Sequence, residues 1–310
     1  MLFLYDKARI EDNMRKILNY MPARIREEIL KNNLQNIEEI RLRVGRPIAI
    51  KMEKEIAIIE HIVTIEEILE TFEKICENSV YSYKKQICEG FITINGGHRV
   101  GITGNCVFEE GEVKNINYIS SLNFRIAREK LGCANEIIKE VINQQNNTVY
   151  NTLIVSSPGA GKTTMLRDLI RQISNRGKTC GIVDERGEIA AMYKGVPQND
   201  VGILTDVISN VSKSKGMNML VRSMAPQVIC CDEIGSKEDV DAINYAICSG
   251  VKGIFTAHGA SLNELMLSIE VRKLINSYII EKIIFLDEFN KGKMKNSYKL
   301  NKEEKKYKML

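Results

Sequence analysis

Residues 155–164, VSSPGAGKTT, have the composition of a loop that binds phosphate. The usual pattern is G-x-x-x-x-G-K-[ST]; Gly161, Lys162 and Thr163 match it, whereas Ser156 replaces the first glycine. Glycines in such a loop let backbone N–H groups converge on an anion without obstruction by a Cβ atom. The lysine can reach the β- and γ-phosphates of a nucleoside triphosphate, and the threonine hydroxyl can bind Mg²⁺. The sequence predicts that the nucleotide is bound by Ser157, Pro158, Gly159, Ala160, Gly161, Lys162, Thr163 and Thr164.

Two adjacent carboxylates form a second group of residues that could take part in catalysis. The string VICCDEIG places Asp232 and Glu233 directly after four apolar residues, a pattern typical of a buried strand. Ligands of open α/β folds bind at the carboxyl ends of the strands. We therefore expect Asp232 to hold Mg²⁺ together with Thr163, and Glu233 to orient the attacking water. An acidic pair also ends many ordinary strands, so its position downstream of a phosphate loop is what favours the catalytic interpretation.

One histidine and three further acids also follow apolar strings. His258 lies in the string TAHG, where its ring could contact the γ-phosphate. Asp184, Glu185 and Glu188 follow the string TCGIV. Two interpretations of these acids stay open. They bind metal or water near the nucleotide, or they cap a following helix, because Asp and Glu are favourable at helix N-termini.

To act together, these residues must follow strands that end at one common edge of a sheet. Apolar strings at 152–156, 179–184, 228–232 and 252–258 alternate with segments of helical periodicity. This alternation of strands and helices predicts a mainly parallel sheet. Such a sheet places the phosphate loop, the acidic pair and the histidine at its carboxyl edge.

The chain before this region has a different, mixed pattern. Thr64 and Glu67 form a capping box at the start of a helix, and Gly96-Gly97 joins two strands as a tight turn. The polar string NQQNNT at 143–148 indicates a linker. We predict an α/β protein with three segments: a smaller α+β domain at 1–147, a P-loop NTPase core at 148–290 and a Lys-rich tail at 291–310.

Composition excludes several classes of protein. The hydrophobic share of 44% and the charged share of 27% are typical of a soluble globular chain. No apolar run approaches the roughly 20 residues that span a bilayer, and no signal peptide is visible, so we expect a cytoplasmic protein. None of the eight cysteines forms C-x-x-C, and the chain has three histidines, so we expect no zinc site.

Positive charge is concentrated at the end of the chain. The last twenty residues carry eight Lys and two Glu, whereas the rest carries 36 basic and 38 acidic side chains. The body therefore lacks the basic charge of a nucleic-acid binder. The Lys-rich tail is either solvated or in contact with an acidic partner or an anionic membrane, where each Lys contributes about 1 kcal/mol.

The strings SSPGAGKTT, VDERGEIA, VRSMAPQVICCDEIG and GIFTAHG, in this order, resemble the family of stage III sporulation protein AA. Three further strings, EEIRLRVGRPI, GGHRVGITG and SSLNFRIARE, extend the resemblance over about 38–260. The family consists of cytoplasmic ATPases related to the hexameric motors of type II and type IV secretion. The resemblance implies a RecA-like P-loop ATPase core that uses ATP and Mg²⁺.

The resemblance also implies a role for individual residues. The loop from Ser157 to Thr164 would be the Walker A motif, and Asp232-Glu233 the Walker B pair. Glu185 and Glu188 fall where secretion motors carry an acidic box, and His258 falls in their histidine box. Such motors complete each site with basic residues of the N-terminal domain or a neighbouring subunit, and the candidates here are Arg99, Arg125, Arg128 and Arg222. The catalytic set predicted in this way is Lys162, Glu188, Arg222, Glu233 and His258.

Family membership further implies partners and a location. The protein would be a homo-oligomer, a hexamer, on the mother-cell side of a sporulation channel, with a membrane protein of that channel as its partner. Two alternatives stay open. A nucleic-acid translocase is disfavoured, because Arg272-x-x-x-Asn276 lacks the histidine of the R-x-x-x-H pattern. An ATP-gated scaffold with little turnover is kept open by Ser156.

Overall fold

The computed structural model describes residues 14–32, 36–53, 55–127 and 129–310. The chain forms two compact units. The first contains the described residues before Glu129 together with Tyr193–Gln198, and the second contains Glu129–Met192 and Asn199–Leu310.

The division between the units therefore lies before residue 129, not at the boundary expected at 147/148. The polar string 143–148, which suggested a linker, is the turn of a short hairpin inside the second unit. Val141 and Val149 flank this turn and are buried in the core of that unit. A polar turn between two buried anchors has the same composition as a linker, so composition alone did not separate the two.

The first unit is a six-stranded antiparallel sheet with helices packed on it. Its helices include α1 (Ala23–Lys31), α2 (Ile65–Ile75) and α3 (Lys84–Cys88), with a 3-10 turn at Val80–Tyr83. The strands are β1 (Ile37–Arg43), β2 (Pro47–Met52), β3 (Ile56–Ile62), β4 (Phe91–Ile94), β5 (His98–Glu109) and β6 (Glu112–Arg125). Their order in the sheet is β3-β2-β1-β6-β5-β4.

Local sequence signals of this unit are confirmed. The Thr64 side chain accepts a hydrogen bond from the Glu67 N–H, and the Glu67 carboxylate accepts one from the Thr64 N–H, so the capping box is complete. The buried side chains of α2, Ile68 and Phe72 among them, pack into the core of this unit. Gly96 and Gly97, both with positive φ, form the turn between β4 and β5.

The second unit is an eight-stranded sheet between two layers of helices. Its helices are α4 (Ile137–Val141), α5 (Lys162–Ser174), α6 (Lys213–Ser223), α7 (Lys237–Cys248), α8 (Leu262–Leu265) and α9 (Ile269–Asn276). A short hairpin consists of β7 (Ile142–Asn143) and β8 (Thr148–Val149). The sheet strands are β9 (Thr152–Ser156), β10 (Cys180–Asp184), β11 (Thr205–Ser209), β12 (Val228–Cys231), β13 (Lys252–His258), β14 (Lys282–Leu286), β15 (Met294–Asn301) and β16 (Lys306–Met309).

Both faces of the central strands are buried, which explains their uninterrupted apolar sequences. Successive side chains of a strand point to opposite faces. In β9, Leu153 and Val155 accordingly join the cluster formed with α6, α7 and α9, whereas Ile154 joins the cluster formed with α4 and α5. Every residue of β9, β10 and β12 is buried.

The strand order is β11-β10-β12-β13-β9-β14-β15-β16. The first six strands are parallel, so the predicted mainly parallel sheet is confirmed. β13 lies between β9 and β12 and pairs with both of them. It pairs His258 with Ser156 on one side and Phe255 with Cys231 on the other, so the ends of the three strands are adjacent.

The Lys-rich segment 291–310, expected as a separate tail, forms the antiparallel edge of this sheet. Leu300 is buried, and Met294 and Tyr298 pack on the two core clusters. The high lysine content obscured these apolar anchors. Several of the lysines contact partners within the unit: Lys293 with Glu136, Lys299 with Tyr150, Lys302 with Glu281, Lys305 with the Tyr278 ring and Lys308 with Glu304. A contact of this segment with an anionic membrane stays a prediction.

Among the described residues, the helices are too short or too polar to cross a bilayer.

Candidate active site

The loop between β9 and α5 has the backbone geometry of an anion site. Gly159 and Gly161 have φ of 77° and 94°, a region in which a Cβ atom is strained. A Cβ atom at either position would meet no neighbour within 4 Å, so the space beside the loop is open. α5 begins at Lys162, and no described side chain caps it. The first N–H groups of this helix therefore remain available to an anion.

Ser156, the departure from the usual pattern, lies at the end of β9 with its side chain buried. It is not among the residues with positive φ, so a Cβ atom causes no strain there. Its hydroxyl donates to the Ser157 carbonyl at 3.0 Å. The substitution of glycine by serine is thus compatible with the loop conformation, because the residue is extended and belongs to the strand ladder.

Lys162 points back over the loop and is only 6% exposed. Its ammonium donates to the carbonyl oxygens of Ser156 at 2.8 Å and Ser157 at 3.2 Å, and to Nδ1 of His258 at 3.1 Å. Burial lowers the pKa of Lys162, and the charge of Glu233 acts in the opposite direction. The cation is therefore held over the phosphate loop by neutral acceptors.

His258 connects this lysine to the acidic pair. Because the lysine is the donor to Nδ1, the ring carries its hydrogen on Nε2, which lies 3.1 Å from Oε1 of Glu233. Nη1 of Arg186 donates to the other oxygen, Oε2, at 2.6 Å. Lys162, His258, Glu233 and Arg186 thus form a continuous hydrogen-bonded series, called the polar row below.

The backbone of Glu233 is held in an uncommon conformation. Its φ is 45°, and its N–H donates to the hydroxyl of Thr256 at 2.8 Å. Thr256 lies in β13 and is fully buried. A non-glycine residue in this region costs of order 1–3 kcal/mol and persists only where the surroundings fix it. Here β13 fixes both the backbone and, through His258, the side chain of Glu233.

Asp232 is the group that best fits a metal ion. It is 2% exposed, and its Oδ1 has no hydrogen-bond partner among the described residues. Burial raises the pKa of Asp232 to about 6, with further contributions from neighbouring charges, that of Asp184 the largest. A cation would relieve both effects. In the described part of the chain, no three His, Cys, Asp or Glu side chains are arranged so that they alone could hold a metal ion. Mg²⁺ needs none, because it is usually held by one or two carboxylates, waters and substrate phosphates.

The acids after β10 have separate roles. Asp184 is fully buried and accepts hydrogen bonds from the N–H groups of Glu188 at 2.9 Å, Ile189 at 3.1 Å and Ala190 at 2.8 Å. Glu185 pairs with Lys213 at 2.6 Å. Residues 185–204 contain no helix, so the alternative that these acids cap a following helix is wrong. Asp184 folds the loop that carries Arg186 toward Glu233, and the charge of Glu188 contributes to the raised pKa of Asp232.

The predicted catalytic residues are not all in one place. The structure brings together Lys162, Glu233 and His258. Arg222 lies instead at the end of α6 with its guanidinium 5.8 Å from the centre of the Tyr245 ring. This is the opposite edge of the sheet, because α6 starts after the carboxyl end of β11 and stops before β12 begins.

The remaining candidate arginines belong to the first unit or are not described. Arg99 lies 4.8 Å from the centre of the Phe91 ring and pairs in register with Arg125 of the neighbouring strand. Arg128 lies outside the described residues. Sequence reasoning missed Arg186, whose only signal is its place inside the acidic string DERGE.

The chain is similar to sporulation proteins over most of its length. The family model "Sporulation stage III, protein AA" matches residues 11–304. Stage III sporulation protein AA of Bacillus subtilis (strain 168) is 37% identical over 270 residues, which cover 84% of this chain and 87% of that protein.

Two solved structures share the fold. The Legionella pneumophila ATPase DotB superposes with a TM-score of 0.55 at 16% identity and covers 86% of this chain and 76% of its own. The pilus retraction motor PilT, solved with bound ADP, has a TM-score of 0.54 at 17% identity, and the match covers 83% of this chain and 76% of the PilT chain. At these identities the likeness establishes the fold, that of P-loop secretion ATPases.

The raised pKa of Asp232 predicts a pH-dependent effect of Asp232→Asn in the absence of nucleotide and metal. Between about pH 4 and pH 6 the native state binds more protons at this carboxyl than the unfolded state, so Asp232 lowers stability increasingly as pH rises. The variant removes this effect. Urea unfolding should show that its gain in stability over wild type is about 1 kcal/mol larger at pH 7 than at pH 5. A gain independent of pH would contradict the assigned burial of a charged Asp232.

Proposed function

The chain belongs to the sporulation stage III, protein AA family, and from this premise we propose that it hydrolyses ATP with Mg²⁺ as an oligomeric, secretion-type motor. The observation that carries the proposal is the polar row beside the open phosphate loop. A cation and a carboxylate that come from opposite sides of β13 are joined through one imidazole. Phosphoryl transfer needs positioned charges of this kind and little covalent chemistry by the protein.

Lys162 and the loop supply the binding of the triphosphate. The ammonium now donates to neutral carbonyl oxygens, whereas phosphate oxygens carry negative charge and would add a Coulombic attraction to each hydrogen bond. The N–H groups at the start of α5 point at the same place. It would therefore be favourable for phosphate oxygens to replace the carbonyl oxygens of Ser156 and Ser157 as acceptors of the Lys162 hydrogen bonds, and the loop backbone would not have to move.

Asp232 and Thr163 would hold Mg²⁺. When bound, the ion neutralises the charge of the phosphate oxygens. The unpaired Oδ1 of Asp232 supplies the acceptor that a hydrated cation needs, directly or through water. Thr163 is the second residue of α5, where its hydroxyl faces the end of the phosphate loop in the known pattern.

Glu233 would orient the attacking water and accept its proton. Its two oxygens are shared between His258 and Arg186, so a water has to replace or join one of these contacts. His258 would keep one oxygen aimed toward Lys162 and would respond to a γ-phosphate that competes for the lysine. His258 would therefore both detect the γ-phosphate and position Glu233, the catalytic base.

The engagement of both Glu233 oxygens also favours a second candidate, an ATP-gated scaffold with little turnover. If Arg186 remains on Oε2 after ATP binds, water has access to the carboxylate from one side only. The two candidates differ in the rate of hydrolysis and agree on ATP binding.

Glu233→Gln separates these candidates. For a hydrolase we expect turnover of Mg-ATP to fall by about 100-fold or more, because the amide accepts no proton, while ATP affinity stays within a few-fold. Phosphate release and equilibrium binding of ATP measure the two quantities. The matched control is Glu238→Gln, which changes an exposed carboxylate in the first turn of α7. Equal turnover by wild type and Glu233→Gln would favour the scaffold.

We propose a ring of identical subunits, a hexamer, located at the mother-cell face of a sporulation channel and bound to a membrane protein of that channel. Family membership supports the sporulation context, and the fold is shared with secretion motors. Arg99, Arg125, Arg128 and Arg222 are candidates for a basic residue that a neighbouring subunit contributes, and Arg222 lies too far from the site of its own subunit to act there.

If a neighbouring subunit completes each active site, so that sites are shared, the ATPase rate per subunit should rise with protein concentration. A trans arginine is worth about 10³–10⁵ in rate where such residues have been measured, so a dissociated chain should be a poor enzyme. The rate should be followed across the concentration range in which light scattering detects assembly, with and without Mg-ATP in the Glu233→Gln background. A rate per subunit that stays constant through assembly would exclude shared sites.

A further inference from the structure

The loop that joins β14 to β15 carries a fully exposed aromatic ring beside the phosphate loop. β14 is the neighbour of β9 on the side away from β13, and the two strands are parallel with Phe285 opposite Val155. Residues 287–289 therefore emerge next to the start of the phosphate loop. Phe289 is 93% exposed, more than any other large apolar side chain among the described residues. Single exposed apolar residues are common, so the ring needs further evidence before a role is assigned.

The loop is closed by internal hydrogen bonds and contacts the phosphate loop. Oδ1 of Asp287 accepts hydrogen bonds from the N–H groups of Asn290 at 2.7 Å and Phe289 at 2.8 Å, and these bonds lower the pKa of Asp287. The Asp287 N–H donates to the Lys293 carbonyl at 2.8 Å, which closes the turn. The hydroxyl of Ser157 donates to the carboxylate of Glu288. The exposed ring is thus held in a hydrogen-bonded turn, and Glu288, the residue before it, contacts Ser157 of the Walker A motif.

The direction of the triphosphate decides which end of a nucleotide lies here. The polar row and Asp232 lie on the β13 and β12 side of the phosphate loop, and these are the groups suited to the γ-phosphate and its metal. The opposite end of the nucleotide, with its base, must then extend toward the other side of β9. That side is the β14–β15 loop.

We propose that Phe289 is the platform on which the purine base of the bound nucleotide stacks. Every base has an apolar face, and stacking on an aromatic side chain commonly changes affinity for a base by about tenfold or more. The inference rests on the proposed function, since it concerns the nucleotide of the same site. It assigns the base end of that site to a loop outside the phosphate-binding, acidic and histidine motifs.

The absence of tryptophan from the chain gives a direct test. Phe289→Trp introduces the sole indole, and its fluorescence should be quenched by ATP and left unchanged by inorganic tripolyphosphate, which has no base to stack. Tyr278→Trp is the matched control, because Tyr278 precedes β14 and lies at the opposite end of that strand. Its fluorescence should respond to neither ligand.

Phe289→Ala removes the proposed stacking surface and tests the corresponding loss of ATP affinity. Its affinity for ATP should fall by about tenfold, whereas tripolyphosphate binding should match that of wild type. Equal ATP affinity of Phe289→Ala and wild type, or equal quenching of Phe289→Trp by tripolyphosphate and ATP, would overturn the platform alone. If wild type binds tripolyphosphate and ATP equally, no base site exists. If wild type binds neither, the nucleotide site and the platform are both wrong.

Discussion

The hydrogen bonding of β13 to both β9 and β12 is the constraint on which the site depends. β9 leads into the phosphate loop, and β12 leads into the acidic pair, but the two strands are not hydrogen-bonded to each other. β13 supplies Thr256, which holds the backbone of Glu233, and His258, which joins the Glu233 carboxylate to Lys162. One strand therefore sets both the separation of Lys162 and Glu233 and the hydrogen-bonded link between them, and in the proposed mechanism these groups act on one phosphate.

The site concentrates unfavourable local features that the surrounding sheet tolerates. Lys162 and Asp232 are buried charges, the backbone of Glu233 is left-handed, and an Asp232 oxygen has no partner among the described residues. A buried charge is costly unless it is paired, so the two buried charges would each be relieved by a partner of opposite charge. A triphosphate beside Lys162 and a cation beside Asp232 satisfy both at once. The buried charges that lower stability without ligand are thus the ones that would favour the proposed binding of Mg-nucleotide.

Local chemistry was predictable from the sequence, and long-range pairing was not. The phosphate loop, the strand before Asp232-Glu233 and the capping box at Thr64 are encoded within a few residues, and the structure has them. The place of β13 between two other strands depends on packing across the chain, so no local pattern signals it. The same holds for the contact of Arg186 with Glu233, which joins residues 47 apart. The lysines of 291–310 and the polar string 143–148 misled because their composition resembles that of solvated segments, while Leu300 and Val149 anchor them in the core.

The central claim is that one triphosphate is bound by Lys162 over the phosphate loop, with its metal at Asp232. Calorimetric titration of ATP with and without Mg²⁺ into wild type and Lys162→Ala tests it most directly, with the exposed Lys237→Ala in α7 as the control. The account predicts one ATP per chain for wild type and for the control, tighter binding with Mg²⁺, and a loss of about tenfold or more in Lys162→Ala. Equal ATP affinity of wild type and Lys162→Ala, or binding that is indifferent to Mg²⁺, would contradict it.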